Sequence, residues 1–144
     1  MRKSIGVLLL VWIPGILAAQ ESIQDVVNLI CKMRNIDQVR EHVFQEKGFN
    51  SQYVVNGELL DFRKFLTALE DARSLGTAGM YQDTTFVQAI YDGSSGSAMF
   101  MSVLHSRLDD GDVEQEARVS LMTFWKVGST WKMLHWHQAT LKKD

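Results

Sequence analysis

Trp131, Met133, His135 and His137 stand two residues apart, and two of them are imidazoles. Side chains at i, i+2 and i+4 of an extended strand share one face. The spacing therefore predicts both histidines on the face of Trp131 and Met133, about 7 Å apart. An imidazole near neutrality can exchange a proton, orient a ligand or bind a metal. Zinc would need further ligands, each about 2 Å from the ion. His105, on another predicted strand, lies two strands away in meander order, about 10 Å across the sheet. No metal site and no cofactor is therefore expected. Asp109-Asp110-Gly111-Asp112, with Glu114 and Glu116, lacks the alternating ligands and closing bidentate Glu of a calcium loop. It reads as a solvated hairpin tip. No carboxylate-plus-donor pair identifies itself, so no catalytic residue is assigned.

The elements that position these residues are two long strands around Gly128-Ser129-Thr130, within Val119 to Leu141. Upstream, Thr84 to Tyr91, Ala98 to Leu108 and Val113 to Val127 also read as strands, and connections this short make antiparallel neighbours. Before them, Ser22 and Asp25 form an N-terminal cap, and Ile23, Val26, Val27, Ile30 and Cys31 follow at helical spacing. Val39, Val43 and Phe44 resume the apolar stripe until Gly48, giving one bent helix or two short ones. Asn56-Gly57 predicts a two-residue hairpin, and Asp61 caps a third helix with Phe62, Phe65, Leu66 and Leu69 on one face. Helices first and a meander afterwards predict an α+β layer fold, with N-terminal helices packed on the concave face of a strongly curved antiparallel β-sheet. Apolar residues occupy both faces of the closing strands. One face meets the helices, and the other is free to meet a second subunit.

Residues 1–19 read as a secretory signal peptide, with Arg2-Lys3, the apolar run Ile5 to Ile13, and Ala18-Ala19 before Gln20-Glu21. The apolar run is shorter than the roughly 20 residues of a membrane-spanning helix. Residues 20–144 then form a single secreted domain, with thirteen basic against seventeen acidic residues and no basic patch. Neither nucleic acid nor a membrane surface is an expected partner. Cys31 is the one cysteine, so no intrachain disulfide forms, and its place in the helical stripe predicts a buried small hydrophobe.

The order helix–helix–short hairpin–helix–long meander resembles the nuclear transport factor 2-like superfamily. The sharpest match is the run from Lys126 to His137, which is similar to that superfamily's closing hairpin in small secreted or bacterial members and in the kinase association domain: a turn with Gly, then Trp, then a strand ending in His-x-His. The resemblance implies a cone-shaped cystatin-like fold with an interior pocket. It does not imply a reaction, since the superfamily spans isomerases, dehydratases, polyketide cyclases and assembly modules. Gln52 to Gly57 is also similar to the inhibitory hairpin of cystatins, but with one residue too many and no disulfides, so it reads as an ordinary hairpin.

In the cone that the resemblance implies, His135, His137, Trp131, Met133, Phe62, Phe65 and Leu66 would line an apolar pocket, and Leu134 and Trp136 would face outward as a homodimer interface. The expected function is a secreted, non-catalytic binding or assembly module, holding a small apolar ligand or a second copy. The alternative is a small lyase or isomerase, of the ketosteroid isomerase or dehydratase kind, that uses a pocket histidine as acid or base.

Overall fold

The computed structural model describes residues 21–46, 49–76, 79–107 and 111–142. The expected signal peptide and its cleavage point, the helix stop at Gly48 and the Asp109-Asp110 tip lie outside these residues.

Helix α1, Ile23–Lys32, starts at Ser22, whose Oγ accepts from the Asp25 backbone N–H at 3.1 Å and donates to the Asp25 carboxylate at 2.6 Å. Its buried residues are Ile23, Val26, Val27, Ile30 and Cys31, the stripe read from the sequence. Burial pushes the Cys31 thiol far above its ordinary range, so it is an inert core group. Met33 ends the helix in a left-handed conformation, and Asn35 caps a separate α2, Ile36–Glu41. These two caps break the stripe into two helices. A minimal pair, β1 (Gln45–Glu46) with β2 (Phe49–Asn50), follows where the sequence suggested more helix.

Strands β3 (Gln52–Val55) and β4 (Glu58–Asp61) form the expected hairpin, with positive φ at both Asn56 and Gly57, as a type I′ turn requires. The Asp61 carboxylate then accepts from the Arg63 and Lys64 backbone N–H groups and starts α3, Phe62–Ser74. Four long strands complete the chain: β5 (Gly79–Asp92), β6 (Ser95–Arg107), β7 (Val113–Val127) and β8 (Thr130–Thr140).

The sheet order is β4-β3-β8-β7-β6-β5. The meander is antiparallel as expected, but β3 joins β8 in parallel, so the sheet is mixed. The reason is topological: β8 ends the meander with a free edge, and the earlier β3 fills it running in the same direction. Bulges at Thr85 in β5 and at Leu134 in β8 interrupt the register. A bulge adds local twist and bends its strand, which helps curl the sheet around the helices. At Gly96 a Cβ would run into Ile23 Cδ1 and lie 3.2 Å from the Ile90 carbonyl oxygen, so α1 seats directly on the start of β6 beside the β5–β6 turn. Among the described residues no helix is long and apolar enough to cross a membrane.

Candidate functional site

The Leu134 bulge decides which chemistry faces which side. Phe124 pairs with Met133 and Thr123 with His135, so Leu134 is left without a partner and the alternation of β8 reverses across it. Trp131 and Met133 are buried before the bulge, and Trp136 and Gln138 are buried after it. His135 is only partly buried and His137 is exposed. The expected pocket face is thus split. Trp131 and Met133 point into the core with Phe62, Leu66 and the half-buried Phe65, while His135 and His137 stand on the outer face. The expected interface pair is split in the same way: Leu134 is half-buried at the bulge, whereas Trp136 is fully buried. The physical reason is the single extra residue, since a one-residue slip transfers every later side chain to the opposite face.

Trp136 is packed into an aromatic cluster of the core. Its ring lies 4.6 Å from Tyr53, 5.9 Å from Phe62 and 6.4 Å from Phe100, centroid to centroid. Next to this aromatic cluster, buried polar groups from the inner faces of five strands form one hydrogen-bonded network. The Gln138 side chain is its hub. Gln138 Oε1 accepts from the Tyr53 hydroxyl at 2.7 Å and from Arg118 Nη1 at 2.6 Å. Gln138 Nε2 donates to Gln82 Oε1 at 2.8 Å and to Ser120 Oγ at 2.9 Å. Ser102 Oγ donates to the same Gln82 oxygen at 2.8 Å. Arg118 Nη2 and Nε reach Glu116 Oε2 at 2.7 and 3.2 Å, and Thr140 Oγ1 donates to Glu116 Oε1.

The charges in this network are settled rather than poised. Burial pushes the Tyr53 phenol up to about 12, against the opposing pull of Arg118. The hydrogen bond from Thr140, reinforced by Arg118, holds the Glu116 carboxyl below the usual carboxylate range despite its partial burial. At neutral pH the site therefore holds a neutral phenol donor and an ionised, fully engaged carboxylate. A group suited to proton transfer would titrate near the working pH and keep a free lone pair or proton. Neither Tyr53 nor Glu116 does so, Arg118 is paired with Glu116 and Gln138, and Gln82, Ser102, Ser120, Gln138 and Thr140 supply only uncharged partners. None of these residues was singled out as a site from the sequence. They are polar residues scattered over five strands, and only the register brings them together.

The histidines do other work. His42 is buried, with Nδ1 2.8 Å from the Trp131 carbonyl oxygen and Nε2 3.3 Å from Glu21. His105 stacks on Tyr81 with ring centroids 4.6 Å apart and approaches Asp83 at 3.3 Å. His135 and His137 sit together on the outer face, ring centroids 6.3 Å apart, with Thr123 Oγ1 3.3 Å from His135 Nδ1 and the Phe49 edge against the His135 ring. The pairing register sets His137 in a row with Val54, Leu121 and Met99, and the next row carries Ala139, Val119 and Met101. Beside His137, Val54, Met99, Val119, Leu121 and Ala139 line a shallow, mostly apolar depression of about 440 Å³.

No protein-family profile matches this chain, and no curated protein does. Solved structures do. An NTF2-like protein with a cystatin-like fold from Novosphingobium aromaticivorans is 18% identical and superposes with a TM-score of 0.62, over 85% of this chain and 81% of its own. An NTF2-like protein of unknown function from Prochlorococcus marinus is 14% identical, with a TM-score of 0.65 over 88% of this chain and 96% of its own. A putative calcium/calmodulin-dependent kinase II association domain from Exiguobacterium sibiricum is 9% identical, with a TM-score of 0.64 over 81% and 86%. The chain thus has the NTF2-like, cystatin-like fold expected from its order of elements. At these identities the likeness establishes fold and leaves function to the site.

Proposed function

We propose that this chain is a secreted, non-catalytic assembly module that pairs with a second copy through the outer face of its sheet. One observation carries the reading: among the described residues, the middle of that face, on β3, β8, β7 and β6, is mainly apolar and carries no formal charge. Met99 is 57% exposed, Met101 45% and Leu121 39%. Around His137 the outer positions are Leu59, Val54, Leu121, Met99 and Gln88 in one row, with Ala139, Val119 and Met101 below and Gln52, His135, Thr123, Ser97 and Ile90 above, Asp61 standing at the β4 edge of that upper row. A soluble protein rarely leaves so continuous an apolar patch uncovered, and a two-fold axis through it would make it self-complementary. The structural likeness to a putative kinase association domain is in keeping with assembly. The packed aromatic core and the engaged state of Tyr53 and Glu116 speak for assembly over ligand capture or catalysis.

Leu121→Glu is expected to shift the protein from dimer to monomer in sedimentation equilibrium without changing its circular dichroism. The substitution places a carboxylate in the centre of the apolar row while leaving the core untouched, and burying that charge unpaired is costly. A dimer of unchanged affinity would move the interface to another surface, and a monomeric wild type would remove it.

Secretion rests on the charge, apolar run and small residues of positions 1–19. Protein collected from the medium of expressing eukaryotic cells is expected to begin between Ala18 and Glu21 on N-terminal sequencing. A cell-retained product that starts at Met1 would overturn it.

A further inference from the structure

The structure assigns a second role to His135 and His137: we infer that together they form half of a zinc site, which the same pair from a second copy completes. This inference rests on the outer-face dimer proposed above. The two rings share one face of β8, with centroids 6.3 Å apart. Two imidazoles bound to one tetrahedral zinc have centroids about 5 Å apart, given Zn–N bonds of about 2 Å. Side-chain rotation alone closes that difference. When His135 Nδ1 carries the proton and donates it to Thr123 Oγ1, 3.3 Å away, Nε2 is left with a free lone pair for a metal. A hydroxyl or carbonyl that fixes the tautomer in this way is the usual outer partner of a metal-binding histidine.

The described residues of one chain do not complete the coordination. Among the described residues no group of three or more His, Cys, Asp or Glu could hold a metal ion. The outer positions around the pair offer Gln52, Val54, Leu121 and Thr123, none of them a strong zinc ligand. A tetrahedral ion held by two imidazoles therefore needs two more donors, and an isologous contact across this face supplies a second identical pair. The spacing agrees independently. Sheets packed face to face lie about 10 Å apart, so each imidazole has to reach about half that distance, within the length of a histidine side chain plus one Zn–N bond. Among the described residues, the positions paired directly with His135 and His137 carry no ammonium or guanidinium to repel the ion. The depression beside His137, lined by Val54, Met99, Val119, Leu121 and Ala139, would take an apolar side chain of the second copy.

The test uses the purified mature protein, stripped with EDTA, and zinc chloride as the only added ligand. Calorimetry is expected to give one zinc per two chains, and sedimentation equilibrium a dimer dissociation constant at least tenfold lower with zinc than with EDTA. His135→Gln and His137→Gln should each abolish both effects, while His105→Gln leaves them unchanged. In the wild type, NMR should show zinc shifting the ring signals of His135 and His137 together. A dimer of equal strength in zinc and in EDTA would overturn the shared site and leave the outer-face dimer standing. A monomer under both conditions would overturn the dimer and the site with it. One zinc per chain with no change in mass would show that the pair does not bridge copies, which also overturns the inference.

Discussion

Trp136→Ala is expected to destabilise the protein by about 3–5 kcal/mol, the range for deleting a large buried aromatic side chain. The ring is fully buried against Tyr53, Phe62 and Phe100, groups supplied by β3, α3 and β6, so its removal opens a cavity where three elements meet. Since small domains are stable by only about 5–15 kcal/mol in total, much of the margin would go. Urea denaturation followed by circular dichroism measures it, and a loss below about 1 kcal/mol would mean that the core closes without this side chain. Trp136→Phe provides the contrast. It keeps most of the packing and removes an indole N–H that is buried without a hydrogen-bond partner, so it should cost far less. A Trp136→Glu variant is accordingly expected to unfold rather than to separate subunits.

Gln138→Leu should cost about 3 kcal/mol although it keeps the volume of the side chain nearly constant. The amide is the shared partner of Tyr53, Arg118, Gln82 and Ser120, and a leucine leaves those groups to find others inside the sheet. Each unsatisfied buried polar group costs roughly 1–3 kcal/mol, with part recovered as neighbours rearrange. The network has a further signature. Tyr53→Phe in the Gln138→Leu background should cost less than it does alone, because the hydroxyl has already lost its acceptor. Thermodynamic cycles in urea decide this, and additive costs would mean that the residues act separately.

Local structure was legible wherever a short-range rule applied. Ser22 and Asp61 cap helices because their side chains reach backbone N–H groups two or three residues on, and Asn56-Gly57 turns because both positions adopt positive φ. The four long strands and the helical stripe of α1 followed from periodicity. The faces of β8 did not, since periodicity assumes an unbroken strand and nothing in Met133-Leu134-His135 marks an extra residue. That bulge exists because of the pairing with β7, a long-range fact. The parallel docking of β3 and the polar network were hidden for the same reason. Gln82 and Gln138 are 56 residues apart, and each alone resembles an ordinary polar strand residue.

The position of β8 between β3 and β7 also bears on how the chain reaches its fold. The β3–β4 hairpin is tied to the meander through this strand: Ser51 donates to the Met133 carbonyl, Asn56 pairs with Thr140, and β3 lies along residues 135–138. On a translating ribosome the β3–β4 hairpin and α3 emerge early, yet the edge they join is the last strand in chain order. Tyr53 and Phe62 must therefore wait for Trp136 before they are covered. Closing contacts at such sequence separation is slow and comes late, which makes this a domain whose core is assembled after synthesis of its strands rather than during it.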